Sequence, residues 1–138
     1  MKYMILTYAS QRDYDGMAGK PSEEPVWSAE DFAAMAEFME AFNKDLADSG
    51  ELVETRALAA PVLTRRLQLQ NGVPAVTDGP YAETQEVLAG YWILECDSFD
   101  RATEIAARLA KCPAPEQVAA TAVADVRPIA DSAAELEL

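Results

Sequence analysis

Thr77-Asp78-Gly79-Pro80-Tyr81-Ala82-Glu83-Thr84-Gln85-Glu86 runs directly into Val87-Leu88-Ala89-Gly90-Tyr91-Trp92-Ile93-Leu94-Glu95-Cys96. The first ten residues read as a tight acidic turn, and the next ten as the clearest strand of the chain. Upstream of the turn, Leu67 and Leu69 alternate with Arg66, Gln68 and Gln70, and Asn71-Gly72 is the strongest short-range hairpin signal. Pro74 has no N–H for a ladder, so the returning arm is very short or at an edge. Downstream of the strand, Phe99, Ala102, Ile105, Ala106 and Leu109 line one face of a helix, with Asp97 placed to cap it and Pro113 to end it. Glu104 and Arg108 form an i,i+4 pair on its other face. A last strand is expected over 121–129.

The N-terminal part supplies a matching set. Residues 2–9 are apolar on both faces, as suits a strand central to its sheet. A Gly-, Pro- and charge-rich loop is expected over 10–26. Ser28 then caps a helix, with Asp31 in the capping-box position and Trp27 placed to staple Phe32. Phe32, Met35, Ala36, Met39, Phe42 and Leu46 recur at helical spacing as a packing stripe, and Gly50 stops the helix. Residues 51–58 read as a second strand. The order strand, helix, strand, hairpin, strand, helix, strand is that of an α+β ferredoxin-like sandwich, β-α-β-(β-hairpin)-β-α-β. Helices cover one face of such a sheet, and the other invites a homodimer through sheet packing.

The chain has 138 residues, half of them apolar, which suits a single domain over 1–129 followed by an acidic tail, 130–138. Eleven Lys and Arg stand against 24 Asp and Glu, a net charge of −13, which repels nucleic-acid phosphates and anionic membranes. No apolar run reaches a membrane span, and the N-terminus lacks a signal-peptide pattern. Cys96 and Cys112 form no C-x-x-C and read as reduced thiols of a cytoplasmic protein. With no histidine, no phosphate loop and no nucleophile elbow, no cofactor and no metal are expected.

The stretch 77–84 with Glu86 resembles the DGPF branch of the YCII-related superfamily, with Tyr81 where the motif commonly has Phe. Supporting landmarks are Lys2-Tyr3-Met4-Ile5-Leu6, Gly90-Tyr91, Cys112-Pro113 and Val126-Arg127-Pro128-Ile129, so the resemblance covers nearly the whole chain. It implies a dimeric α+β barrel. Relatives with that barrel include small enzymes acting on ring compounds, such as muconolactone isomerases and a dehydrochlorinase. The His–Asp pair proposed for YCII-type relatives cannot be carried over to a chain without histidine. Association of the branch with extracytoplasmic-function sigma factors suggests a regulatory role.

Two function classes follow. One is a cofactor-free isomerase or lyase acting on a compact ring or anionic compound. In it Asp78 is the general base, Tyr81 orients the substrate, Arg127 clamps an anion, and Glu83, Tyr8 and Tyr91 line the cleft. The other is a non-catalytic ligand- or protein-binding accessory protein that modulates a transcription factor. Asp78 also has a purely structural reading, since Asp-Gly-Pro is a turn. Arg127 likewise reads as one half of an ion pair with Asp125, and Arg65 and Arg66 as solvated. Cys112 follows a helix C-terminus, which raises a thiol pKa and disfavours a nucleophile.

Overall fold

The computed structural model describes residues 1–20 and 27–137. Four strands, β1 (Lys2–Ala9), β2 (Leu52–Ala57), β5 (Val87–Glu95) and β6 (Ala124–Pro128), form one sheet in the order β2-β5-β1-β6. Every neighbouring pair is antiparallel, and β1 sits at the centre with Ile5 opposite both Trp92 and Val126. Helices α2 (Ala29–Asp48) and α3 (Phe99–Leu109) lie on one face. The strand order and this one-sided cover give the ferredoxin-like α+β fold.

Alternation along β1 decides which side chains meet the helices. Tyr3 and Ile5 are buried with Trp92, Leu94, Phe42, Leu46, Ile105 and Leu109, while Met4 and Leu6 point the other way and stay partly exposed. Three side chains, Ile5, Phe42 and Leu94, lose essentially all solvent contact. Removing about three carbons from such a site costs roughly 2–5 kcal/mol. Phe42 also meets the Trp92 ring edge-on at 5.9 Å, and the Trp92 indole N–H donates to Asn43 Oδ1 at 2.8 Å, so the one polar atom of that ring is satisfied inside the core.

The second capping box is as expected: Ser28 Oγ accepts from Asp31 N–H and Asp31 accepts from Ser28 N–H. The same chemistry corrects the loop expected over 10–26. Ser10 and Asp13 form another capping box and open helix α1 (Gln11–Met17), while residues 21–26 lie outside the described residues. Among the bonds that tie down helix α1, Tyr14 donates to the Leu58 carbonyl at 2.8 Å and Gln11 Oε1 accepts from Val62 N–H at 2.8 Å.

Other expectations shift in detail. Ser98, not Asp97, caps α3, because its Oγ accepts from Arg101 N–H. Arg108 pairs with Asp45 of α2 instead of Glu104, which pairs with Arg101; a long side chain on a packed helix finds the neighbouring helix. Phe32 remains 47 % exposed, so the apolar stripe of α2 is buried mainly at its C-terminal half. A short helix, α4 (Glu116–Ala119), precedes β6, and the tail ends in a 3-10 turn over Ala133–Glu137.

Strands β3 (Arg65–Gln70) and β4 (Val73–Asp78) form a separate two-stranded sheet. Its turn is Asn71-Gly72, both at positive φ (53° and 78°), as a two-residue hairpin with the strand twist demands. Pro74 is accommodated because β4 has only one neighbour.

Candidate functional site

The expected site residues fall in two places. Asp78, Tyr81 and Glu83 lie at the base of the hairpin. Asp78 is three-quarters exposed and accepts from Arg65 Nε at 2.9 Å, directly across the register. Next to it, Gly79 N–H donates to the Thr64 carbonyl at 2.8 Å, and Gly79 holds φ +55° with Val62 close by. The Arg66 guanidinium sits over the Tyr81 ring at 5.2 Å, so neither arginine is simply solvated. Glu83 receives Arg12 N–H on its backbone carbonyl at 3.1 Å while its side chain is exposed. These contacts fix a loop and close a hairpin. Asp78 thus faces solvent and Arg65, not either of the two cavities.

Tyr8, Tyr91 and Arg127 belong to the sheet face that the helices leave open. Tyr8 O–H donates to Asp125 Oδ2 at 2.7 Å, and Tyr91 O–H donates to Glu54 Oε2 at 2.9 Å. Both phenols are pushed above their ordinary pKa, first because a carboxylate accepts the proton's hydrogen bond, then by desolvation and by the negative charge itself. Arg127 lies opposite Met4, two positions from Asp125, and its charge acts on Tyr8 in the opposite direction. Asp125 is therefore engaged by Tyr8, where the residue spacing suggested Arg127.

A third place was not anticipated. Between the sheet and the N-terminal half of α2 lies a chamber of about 350 Å³, lined by Met17, Trp27, Met35, Met39 and Trp92 on one side. Its other wall is the small-residue segment from Cys112 to Ala124, including Val118, Ala119, Ala122 and Val123. Among the described residues, no charged side chain lines it, and Thr7, Tyr8 and Cys112 are the polar residues along its wall. The volume lies at the lower end of the range typical of small-molecule sites.

The sequence explains why a space exists there. Phe42 and Leu46 fill the gap between α2 and the sheet, whereas the alanines before β6 project one carbon each and leave it open. Methionines adapt to what enters, because a thioether on three rotatable bonds repacks at little cost. Met35 and Met39, expected only to pack, are thus walls of a cavity. Cys112 has its thiol pKa raised by burial, which keeps it protonated and a poor nucleophile.

A smaller cleft of about 150 Å³ adjoins the chamber and shares Tyr8, Val118, Ala122 and Val123 with it. Asp13, Glu86, Gln117 and Thr121 give this cleft a polar lining beside the apolar one of the chamber. Among the described residues, no group of three or more Cys, Asp or Glu is placed to hold a metal ion. No described helix is long and apolar enough to cross a membrane.

A family model for the YCII-related domain matches residues 1–131. The chain belongs to the YCII-related family. An uncharacterized protein of Rhizobium meliloti (strain 1021) is similar to this chain, 27 % identical over 130 residues that cover 94 % of this chain and 93 % of that protein. The YCII-related match spans the sheet, both main helices, the hairpin and every residue that lines the chamber.

Proposed function

We propose that this YCII-related protein binds a compact, uncharged, ring-sized apolar molecule in the chamber between α2 and the sheet, and does so as a homodimer joined through its open sheet faces. The observation that carries the reading is the lining: both tryptophans of the chain and three of its five methionines converge on one cavity that, among the described residues, has no charged side chain. At the density of a protein interior, ~0.74, such a chamber accommodates a molecule of roughly 260 Å³, the size of two or three fused or linked rings. An anionic substrate, one of the sequence-based options, would lose its hydration there without gaining a partner.

Binding fits this geometry better than acid–base catalysis. Asp78 and Tyr81 are taken up by the hairpin base, and the tyrosines of the open face hold their protons tightly. Tyr8 lines both the cleft and the chamber, but its hydroxyl is committed to Asp125, so shape and apolar contact set what the chamber takes. Tyr91 and Arg127 belong to the dimer face in this reading, beside a half-exposed apolar strip of Met4, Leu6 and Ile93. The DGPF-type motif at 77–86 is then architectural, and any action on a sigma-type transcription factor follows from ligand occupancy.

The test is a fluorescence titration with the neutral probe N-phenyl-1-naphthylamine. Saturable quenching of the intrinsic tryptophan emission, with a matching rise in probe emission, supports the reading. Unchanged tryptophan emission at probe concentrations up to its solubility limit contradicts it.

A further inference from the structure

The β3–β4 hairpin makes no ladder with the main sheet, and every residue of β3 is exposed. Its register sets Leu67 opposite Val76 and Leu69 opposite Pro74, so these four side chains share one apolar face, while Arg66, Gln68, Gln70 and Thr77 occupy the other together with Val73 and Ala75. Leu67, Leu69 and Val76 are 66, 69 and 57 % exposed. A lone two-stranded hairpin is marginal in water, and a flat apolar face on one invites association. The amphipathic pattern and the matched Arg65–Asp78 pair at the base describe an arm built to lie on something.

Two quantities identify the occupant. The first is charge. Residues 61–80 contain Arg65, Arg66 and Asp78 as their only charged groups, a net +1, whereas the rest of the chain carries −14, which together make the net −13. The arm is thus complementary to the body of its own kind. The second is area. Four strands at ~4.8 Å spacing and about five residues at ~3.3 Å give the open sheet face a footprint of roughly 320 Å². Even doubled for side-chain relief, that stays below the ~800 Å² per partner of a stable interface. Sheet packing alone leaves the dimer short of contact, and two exposed apolar arms supply what is missing.

We propose that in the dimer each hairpin closes over the second copy, laying Leu67, Leu69 and Val76 on the rim of the partner's open sheet face. The inference rests on the dimer reading above, and the test separates the two.

Sedimentation velocity over a concentration series would compare four proteins: wild type, the arm variant Leu67→Asp/Leu69→Asp, a control with the same added charge on the other hairpin face, Gln68→Asp/Gln70→Asp, and the sheet-face variant Leu6→Asp/Ile93→Asp. All arm substitutions are at exposed positions, and circular dichroism checks that each protein is folded; the uncharged pair Leu67→Ser/Leu69→Ser repeats the arm test without added charge. The expected result is a dimer dissociation constant at least a hundredfold higher for both arm variants and within about threefold of wild type for the control. If the arm variants dimerise like wild type while the sheet-face variant is monomeric, the arm inference fails and the dimer reading stands. If arm and control variants weaken equally, charge alone is responsible and the inference also fails. A monomeric wild type at 100 µM overturns both.

Discussion

Replacing Ala124 by leucine distinguishes an open chamber from a filled core, because the two cases predict opposite signs. Ala124 stands on β6 opposite Thr7, on the helix side of the sheet, and lines the chamber. The substitution adds three carbons. At ~0.8 kcal/mol for each buried methylene the gain is at most about 2.4 kcal/mol. Ordering the leucine side chain removes roughly 0.5–1 kcal/mol of this, leaving about 1.5 kcal/mol of net stabilisation. For a domain of this size, intermediate between the two ranges known for small and larger domains, each kcal/mol shifts the midpoint by roughly 3–5 °C, so differential scanning calorimetry should show a rise of roughly 4–8 °C. In a filled core the same three carbons would overpack and cost about 1–3 kcal/mol. Probe binding moves the other way and should weaken at least tenfold in Ala124→Leu, since the new side chain occupies the ligand's volume. A fall in the thermal midpoint, or unaltered probe affinity, would refute the reasoning.

Other expectations follow from single contacts. Glu51 is held below its ordinary pKa chiefly by the bidentate Arg101 pair, with both N···O distances 2.8 Å. A depressed folded pKa contributes stability above the unfolded carboxyl range that is lost as pH falls through the folded value. Urea midpoints should therefore drop between pH 5 and pH 3, and Arg101→Ala should flatten part of that drop. Asn43→Ala leaves the Trp92 indole N–H without its partner and should cost about 1–3 kcal/mol in urea denaturation, with a blue shift in tryptophan emission. Arg65→Ala removes an ion pair whose members are 73 and 75 % exposed, so the thermal midpoint should change by at most about 2 °C. Ultraviolet titration should find Tyr8 and Tyr91 ionising above pH 10, and Asp125→Asn should bring Tyr8 back toward 10.

The parts of the fold legible in the sequence are those set by local chemistry. Ser28 with Asp31, Asn71 with Gly72, and the alternation through β1 and β5 each state their own structure within a few residues. Helix α1 was equally readable, since Ser10 and Asp13 repeat the Ser28–Asp31 pattern, but Gly16 and Gly19 and the surrounding charge gave the segment the look of a loop. The partners of Arg108, Asp125 and Tyr91 were not readable, because each lies 37 or more residues away in sequence on another element.

The chamber is the clearest case of what a linear reading misses. Met17, Met35, Trp92 and Ala122 each look like ordinary core when taken alone, and only the packing of α1, α2, β5 and the segment before β6 turns them to one space. What the sequence did carry was the run of alanines and short side chains from Ala114 to Ala124 facing a methionine-bearing helix, a pairing that leaves volume unfilled. The acidic turn 77–86 drew the functional reading instead because its residue types are reactive, while their exposure and pairing serve the hairpin.

The five methionines offer the most direct measurement. In a protein labelled with ¹³C at the methionine methyl groups, a heteronuclear spectrum resolves the two that lie away from the chamber, Met1 and Met4, from the three that line it, Met17, Met35 and Met39. Addition of N-phenyl-1-naphthylamine should shift Met17, Met35 and Met39 along saturable curves sharing one dissociation constant and leave Met1 and Met4 in place. Shifts centred on Met4, or no shift at any of the three, would contradict a ligand site in the chamber.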